Sequence, residues 1–288
     1  MASNAFNATA LNEWVPEYQS AKAQIAYEYN LVIAPLVDRT FEALLKFGDT
    51  LNIPQLANFG AANNAATTAD LELYVYQTEK TNIAVNQWKY KAVGVSYKEN
   101  IQNYPEFLTG ATTKCSYSVA QAVDTYLAEL FGGATGAAGF TNSVGSDGAA
   151  LTDDVMLSAK EYLDLADVPF SDRALILDPE SLTDLMKIDK FLRDDYVARG
   201  AVESANGLIG KSIYGGKVYS TNNLRALNTT YHLAALMHKQ AIAMIQQKAP
   251  TVERFDWWQK FTSVVRVQCI FGANLVRAGN GVRIKTRS

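Results

Sequence analysis

The sequence predicts an α+β fold, because strand-like and helix-like patterns both recur along its 288 residues. The apolar run Arg173–Asp178 predicts a short buried strand. Asp178 and Pro179 suit the cap and the first position of the helix that follows. The run Ser263–Phe271 predicts a second strong strand. A longer helix is predicted from an apolar stripe: Val119, Ala122, Val123, Tyr126, Leu127 and Leu130.

Composition bounds the class of protein. The chain is 48% hydrophobic and 19% charged, which favours a packed core over disorder. Its net charge of −3 is too weak to predict nucleic-acid binding by the whole surface. The first residues lack the pattern of a signal peptide, and no apolar run approaches the ~20 residues that span a bilayer. We therefore expect a soluble protein made in a cytosol, with Cys115 and Cys269 as small buried hydrophobic residues.

The N-terminal region predicts a mainly helical segment over residues 12–45, interrupted at Pro35. Residues 2–11 are small and polar, with no pattern to hold them in place. Two interpretations stay open on the residues alone: a disordered terminus before a core helix, or an arm that crosses onto a neighbouring subunit. The helical segment carries a stripe of large side chains at roughly heptad spacing, which would pack in its own core or on a neighbour: Trp14, Tyr18, Ile25 and Tyr29.

Strand patterns dominate the next region, at residues 50–53, 71–76 and 83–97. Between the first two lies the segment 58–69, which has almost nothing to bury. Two or three strands with so little core of their own are only marginally stable in water, so they need another surface to lie on. This region is the strongest physical indication of assembly in the sequence.

The remaining segments complete the predicted order. Residues 132–150 are rich in Gly, Ala and Ser and predict a mobile loop, and Thr152 is placed to cap another helix. Residues 187–206 predict an irregular, charged surface segment. A short strand pair is predicted from residues 274–277 and 281–284. The buried face of the helix after Thr152 is predicted to comprise Val155, Ala159, Tyr162, Leu163 and Ala166, and the aromatic cluster after Pro250 comprises Phe255, Trp257, Trp258 and Phe261.

Four motifs, taken in order, resemble a known family. They are Phe47–Pro54, the strand with its Asp178-Pro179 helix, the glycine-flanked strand Lys217–Thr221, and the segment Leu233–Ile245. Each motif is degenerate alone, whereas their order is similar to that of the major capsid proteins of tailed phages, which share the HK97-like shell fold. The resemblance covers most of the chain.

The resemblance implies a division of the chain. Residues 1–45 would form an N-terminal arm and helix, and residues 46–102 an extended loop. Residues 103–150 and 251–288 would form a peripheral domain around a long spine helix, into which an axial domain of residues 151–250 is inserted.

The resemblance also implies a function. The protein would form hexamers and pentamers of an icosahedral shell around a double-stranded DNA genome, would touch that DNA without sequence readout, and would cross no membrane. Scaffold, portal and cement proteins are possible partners in the family. The expected location is the virion, after assembly in the host cytoplasm. An encapsulin-type compartment, which encloses enzyme cargo in the same fold, is the nearest rival.

The chemical motifs argue for no active site and no cofactor. Residues 205–212 loosely match a phosphate-binding loop, the basis of a rival interpretation as a phosphate-binding enzyme. Such a loop leaves a buried strand and opens a helix, whereas residues 200–204 are no buried strand and turn and strand patterns follow.

Metal and nucleophile motifs are equally weak. His232 and His238 are six positions apart, not the four that aim two imidazoles at one metal ion on a helix. No Cys-x-x-Cys pattern or Gly-x-Ser-x-Gly pattern occurs. Adjacent acidic pairs, at residues 153–154 and 194–195, point in different directions on a helix. We predict no catalytic, cofactor-binding or metal-binding residues.

Overall fold

The computed structural model describes residues 32–45, 48–56, 78–98, 107–132, 139–188, 204–205, 208–224 and 232–287. Three α-helices have both of their ends within these residues: α1 (Phe107–Glu129), α2 (Asp153–Leu165) and α3 (Pro179–Met186). The strands are β1 (Thr50–Leu56), β2 (Thr78–Ala84), β3 (Gln87–Ser96), β4 (Asn142–Val144), β5 (Arg173–Leu177), β6 (Ser204–Ala205), β7 (Leu208–Ile213), β8 (Gly216–Ser220), β9 (His232–His238), β10 (Ile242–Trp257), β11 (Thr262–Leu275) and β12 (Gly281–Thr286).

The largest sheet has seven strands in the order β4-β12-β9-β5-β8-β7-β6. Its central strands β5 and β9 are buried along their whole length, which the uninterrupted apolar run of each predicts. One face packs on α2 and α3 through a core that includes Leu163, Leu177 and Leu185. On the other face, Ile176 joins a second core together with residues of α1. Helices therefore cover both faces of this sheet.

A smaller sheet has three strands in the order β10-β11-β3. Helix α1 covers one of its faces, and Tyr126 meets Phe271 edge to face with ring centroids 5.5 Å apart. Cys115 and Cys269 are buried in this core, as predicted, and burial raises the pKa of both thiols. The predictions of the long helix and of the strand Ser263–Phe271 are also confirmed, since α1 contains the predicted stripe up to Leu127 and β11 contains the whole strand.

Two adjacent turns carry the chain between the sheets. The first, Lys239–Ala241, leads from β9 into β10, and the second, Ala278–Asn280, leads from β11 into β12. The carbonyl of Ala241 accepts hydrogen bonds from the backbone N–H groups of Val276 (2.9 Å) and Arg277 (3.2 Å). The crossings are thus fixed to each other, which fixes how the two sheets connect.

The end of the chain differs from the sequence expectation. It was expected to complete the sheet beside the long helix, and β11 does so, but β12 pairs with β9 in the larger sheet. The strand pair predicted over residues 274–277 and 281–284 does not form. Residues 274–275 end β11, while Val282 and Ile284 enter the core beneath α2.

The region predicted as one extended loop, residues 46–102, also divides. Strands β1 and β2 form a separate antiparallel pair, whereas all of β3 pairs with β11 from Gln87↔Phe271 to Ser96↔Thr262. Val95 is buried, so β3 does have a core of its own to join. The predicted strand 71–76 lies outside the described residues, as do the predicted arm residues 1–31 and most of the charged segment 187–206.

Local predictions divide into confirmed and wrong ones. Asp178 caps α3 by accepting hydrogen bonds from the N–H groups of Glu180 and Ser181. Thr152 sits at the cap position of α2 but makes no side-chain capping bond. The predicted loop 132–150 is wrong over Asn142–Val144, where strand β4 forms because it pairs with β12.

The helical predictions need two further corrections. On α2, Tyr162 and Ala166 face outward, and Met156 completes the buried face with Ala159 and Leu163. The last part of the predicted helix 12–45 forms two short 3-10 turns, Ala34–Leu36 and Thr40–Ala43, with Pro35 inside the first. This stretch does not continue as an α-helix, because Pro35 has no N–H to donate and 3-10 turns form only short pieces.

Candidate assembly surfaces

The face of the three-stranded sheet that α1 does not cover is called the outer sheet face below. Side chains alternate between the faces of a sheet, so the pairing register decides which residues share it. Val267 packs on α1, so its neighbours in β11, Arg266 and Gln268, point to the opposite face. Across the strands this places six residues on the outer sheet face with Arg266 and Gln268: Trp88, Tyr90, Thr251, Glu253, Phe255 and Trp257.

The aromatic residues of the outer sheet face are unusually open. Trp88 and Tyr90 are 64% and 66% exposed, and Phe255 and Trp257 are both 43% exposed. The four side chains form two exposed aromatic pairs on one face of the sheet, and exposed apolar groups gathered on one face favour an interaction surface more than scattered single residues do. Aromatic side chains are also the residues that contribute most to the energy of protein interfaces.

A polar network lies between these aromatic residues. Glu253 accepts hydrogen bonds from Arg266, from Gln268 (2.7 Å) and from Lys248 (3.2 Å). These donors, Arg266 above all, lower the pKa of Glu253 to about 2. Gln268 also accepts a hydrogen bond from the indole of Trp88 at 3.2 Å. The network thus links the centre of the outer sheet face to one of its four large aromatic side chains, Trp88.

The hairpin between β10 and β11 ends in a further aromatic group. Trp258 and Phe261 are 75% and 71% exposed at its tip. Phe261 adopts a left-handed backbone conformation with φ of 48°, an unfavourable state for an aromatic residue. The aromatic cluster predicted after Pro250 is therefore a surface feature that extends the outer sheet face.

A buried carboxylate fixes the start of the described chain. Asp124 of α1 is fully buried and accepts hydrogen bonds from the N–H groups of Val32 (2.8 Å), Ile33 (3.3 Å) and Ala34 (3.0 Å). Burial raises the pKa of this carboxyl, although the backbone donors act in the opposite direction. Asp124 thereby holds residues 32–34, the first described residues of the chain, against α1. The sequence signal for this buried contact is a lone Asp inside an apolar helical stripe, and the predictions above did not use it.

The β1–β2 hairpin is attached to the body at its base. Ile83 is fully buried beside Ala243 and Ile245, and Asn274 donates a hydrogen bond to the carbonyl of Asn82 at 2.8 Å. At Gly272 a Cβ atom would lie 2.2 Å from the carbonyl oxygen of Ala84, so only glycine fits. The pair β1–β2 thus projects from a fixed base.

A second exposed apolar patch lies on α2 and the loop after it. Leu165 and Phe170 are 74% and 63% exposed, and Leu157 and Tyr162 are 40% and 42% exposed. Beneath Phe170, the guanidinium of Arg173 lies 4.5 Å from the ring centroid. Arg173 is itself buried and paired with Asp164 at 2.8 Å, so this patch has a rigid base.

The structure removes the support for a phosphate loop. Lys211 and Ser212 lie within strand β7, which pairs with β8, and no helix follows them. Successive N–H groups of an extended strand point in alternate directions and do not converge on one anion, so the context that the motif requires is missing.

The two histidines are not brought together as a metal site, but His232 has acidic neighbours. Its Nδ1 lies 3.0 Å from Asp178 and 3.8 Å from Glu180. The oxygens of Asp178 also accept the two backbone bonds that cap α3. This arrangement is that of a helix cap joined to a buried histidine, with the carboxylates in the first turn where the helix dipole favours them. Asp153, the first of the adjacent acidic pair, bonds to the hydroxyl of Tyr214, and residues 194–195 lie outside the described residues.

Comparison with protein families identifies the family of this chain. The family of phage capsid proteins has a model that matches residues 77–284. The chain belongs to this family. It is a phage capsid protein, a structural component of the virion shell. Comparison with curated proteins gave no match. Within the described residues, no helix of this capsid protein is long and apolar enough to cross a membrane.

Solved structures show the fold that the capsid protein adopts. It is similar to a structure from Mycobacterium phage Che8 with a TM-score of 0.75 and 21% identity, over 95% of this chain and 97% of the other. The capsid of cyanophage P-SCSP1u matches with a TM-score of 0.72 and 14% identity, over 96% and 94%. The capsid of a native GTA particle matches with a TM-score of 0.69 and 11% identity, over all of both chains. The fold is therefore HK97-like and α+β, as the sequence resemblance implied.

Proposed function

We propose that the capsid protein builds a closed icosahedral shell of hexamers and pentamers around a double-stranded DNA genome. The observation that carries this proposal is the outer sheet face, an ordered surface that presents four large aromatic side chains to solvent. A monomer gains nothing from such a surface, whereas heterologous contacts between copies cover it and close by symmetry. Assembly would take place in the host cytoplasm, with the product in the virion.

The proposed contacts come from separate parts of the chain. They are the N-terminal arm (residues 1–45), the projecting hairpin within residues 46–102, and the axial loops near residues 187–206. The fixed bases at Asp124 and Gly272 support the first two, because an element that leaves the body at a set point reaches a neighbour in a set register. Each contact alone is weak, but effective concentration within a lattice multiplies them.

The division into domains belongs to the same proposal. Residues 103–150 with the strands after residue 251 would form the peripheral domain, and residues 151–250 the axial domain. We extend the axial domain to include β4 and β12, because both strands pair in the seven-stranded sheet. Its loops would meet those of sibling subunits around each symmetry axis.

The packaged genome would be contacted through charge alone, without reading of the base sequence. The proposed role is geometric, with no catalytic step and no cofactor. Scaffold, portal and cement proteins would bind to the shell rather than to the single subunit.

Electron microscopy of the expressed protein, followed by nuclease treatment of particles from infected cells, tests this proposal. We expect closed particles of uniform diameter that protect double-stranded DNA. Closed particles that hold enzyme cargo and no nucleic acid would identify an encapsulin-type compartment instead. A preparation that stays monomeric at all concentrations would contradict the proposal.

A further inference from the structure

A buried histidine lies where the two main sheets join. His238 is the last residue of β9 and is 5% exposed. The turn Lys239–Ala241 follows it directly and leads into β10 of the smaller sheet. Ala241 also accepts the backbone hydrogen bonds that tie the second crossing to this turn, from Val276 and Arg277. Both connections between the sheets therefore depend on the turn that begins at His238.

The imidazole of His238 supports this turn in its neutral form. Its Nδ1 accepts a hydrogen bond from the backbone N–H of Gln240 at 3.3 Å, which caps the turn. An imidazole nitrogen accepts a hydrogen bond only while it carries no proton. The N–H of Lys239 is bonded separately, to the carbonyl of Asp172 at 3.2 Å. Protonation of Nδ1 would thus remove the side-chain cap and set two N–H groups against each other.

The surroundings of His238 favour the uncharged ring. Among the described residues, charged groups act on it from the loop before β5, from β5 and from the turn after β11: Asp172, Arg173 and Arg277. Burial is the main cause that lowers the pKa of His238 below its ordinary value of 6.5, and both arginines act in the same direction. Asp172 and a hydrogen bond to the backbone of Ser171 act the other way and are outweighed.

Arg173 would meet a protonated His238 across the ladder between β5 and β9. The two residues are direct partners in the register, and the side chain of Arg173 is fully buried. Asp164 holds its guanidinium at 2.8 Å, and two backbone carbonyls accept its other hydrogen bonds. A positive charge on His238 is therefore placed beside a fixed one. Lys239 is exposed, so solvent screens its charge.

We propose that His238 makes the junction between the two sheets sensitive to pH. The neutral ring fixes the turn Lys239–Ala241, whereas protonation in mild acid frees it, so that the sheets are held less firmly at one angle. Hinges consist of such short segments at the ends of elements. The inference goes beyond the proposed shell function, because it concerns the single subunit. It is also separate from the outer sheet face, since Glu253, with a pKa of about 2, keeps its charge where histidine titrates.

Hydrogen exchange of single backbone amides tests the proposal in dilute subunits at about pH 7.5 and about pH 5. Each rate is compared with that of an unfolded amide at the same pH. A lowered histidine pKa stabilises the junction fully above pH 6.5, and this stabilisation is lost as the pH falls. We therefore expect the protection of the Gln240, Val276 and Arg277 amides to fall at least about threefold in acid.

The internal control is the amide of Met156, which donates to the carbonyl of Thr152 in α2, far along the chain from the junction. We expect its protection to stay the same at both pH values. An equal fall at Met156 and at the three junction amides would show general loosening of the subunit and would overturn the proposal.

His238→Asn is the matched variant. Its side-chain oxygen accepts from the N–H of Gln240, as asparagine does at helix caps, but it takes up no proton in this range. We expect this variant to keep the junction amides protected at both pH values. Asp124, whose pKa burial raises, is present in both proteins, so its titration cancels in the comparison. The same fall in protection in wild type and in His238→Asn would overturn the proposal.

NMR titration of the imidazole rings gives a readout that needs no variant. The chain has two histidines, so two rings titrate in the spectrum of the wild type. We expect the midpoint of His238 to lie below 6.5. Two midpoints at or above 6.5 would overturn the proposal, whether or not His238→Asn folds. All of these measurements use dilute subunits, so their failure leaves the shell function intact, and a failure to form particles leaves the junction proposal intact.

Discussion

The two main sheets of this capsid protein treat their surfaces in opposite ways. In the seven-stranded sheet, β5 and β9 are buried throughout and helices cover both faces. In the three-stranded sheet, α1 covers one face, while Trp88 and Tyr90 stand 64% and 66% exposed on the other. The first sheet completes its core within one chain. The second has a complete core on one side only and keeps a ready surface for other molecules.

The largest effect is expected from a substitution in the core of the seven-stranded sheet. Leu175 in β5 is fully buried, so Leu175→Ala removes packed methyl groups and leaves a cavity. We expect a loss of about 2–5 kcal/mol in the free energy of unfolding of the subunit, measured by denaturant titration. Trp88→Ala, on the outer sheet face, is the control and should cost the free subunit less than about 1 kcal/mol. Equal losses in both variants would remove the contrast between the sheets.

A smaller effect is expected at residues 32–34, which Asp124 holds against α1. Asp124→Asn places an amide group among the N–H donors of Val32, Ile33 and Ala34, so at least one bond is lost. We expect a loss of about 1–3 kcal/mol in the free energy of unfolding, together with faster hydrogen exchange over residues 32–34. Glu129→Gln, the same chemical change on the same helix, should leave both unchanged. Unaltered exchange in Asp124→Asn would contradict the assigned role.

The N-terminal cap of α3, a helix that packs on the seven-stranded sheet, gives the next effect. Asp178→Ala removes the side-chain bonds to two N–H groups of α3 and the contact with His232. We expect a loss of about 1–2 kcal/mol in thermal or denaturant unfolding. Thr152→Ala is the matched control, since Thr152 occupies the cap position of α2 without a capping bond. A larger loss for Thr152→Ala than for Asp178→Ala would show that the caps are assigned wrongly.

The smallest effect is a pH dependence on the outer sheet face. The folded-state pKa of Glu253 is about 2, below its ordinary value of 4.5, because Arg266 and Lys248 stabilise the carboxylate. The stabilisation is therefore fully present above pH 4.5 and is lost as the pH falls toward about 2. We expect Glu253→Gln to flatten the subunit's unfolding free energy over this window. Because Glu253 is partly open to solvent, the change should be small, and an unchanged pH profile in Glu253→Gln would count against the network.

Local signals predicted much of the fold. The Asp178-Pro179 cap, the long helix and the strand Ser263–Phe271 all depend on neighbours in sequence, and all three form. Thr152 shows the limit of this reasoning, because a residue type suited to a cap does not fix where its hydroxyl points.

Partners distant in sequence were the harder problem. Strand β12 was assigned beside β11, its neighbour along the chain, but the turn at Ala278–Asn280 takes it to β9. The outer sheet face was missed for the same reason. Glu253 and Arg266 are thirteen positions apart and meet only because β10 and β11 pair in one register. The alternation of aromatic and lysine residues in β3 was visible, but its partner strand was not.

Hydroxyl-radical footprinting of free subunits and of assembled shells tests the central claim most directly. We predict that Trp88 and Tyr90 are oxidised readily in the free subunit and become protected in the shell. Tyr126, packed against Phe271 between α1 and the sheet, should react alike in both states. Equal oxidation of Trp88 and Tyr90 in subunits and shells would contradict the claim that sibling copies cover the outer sheet face.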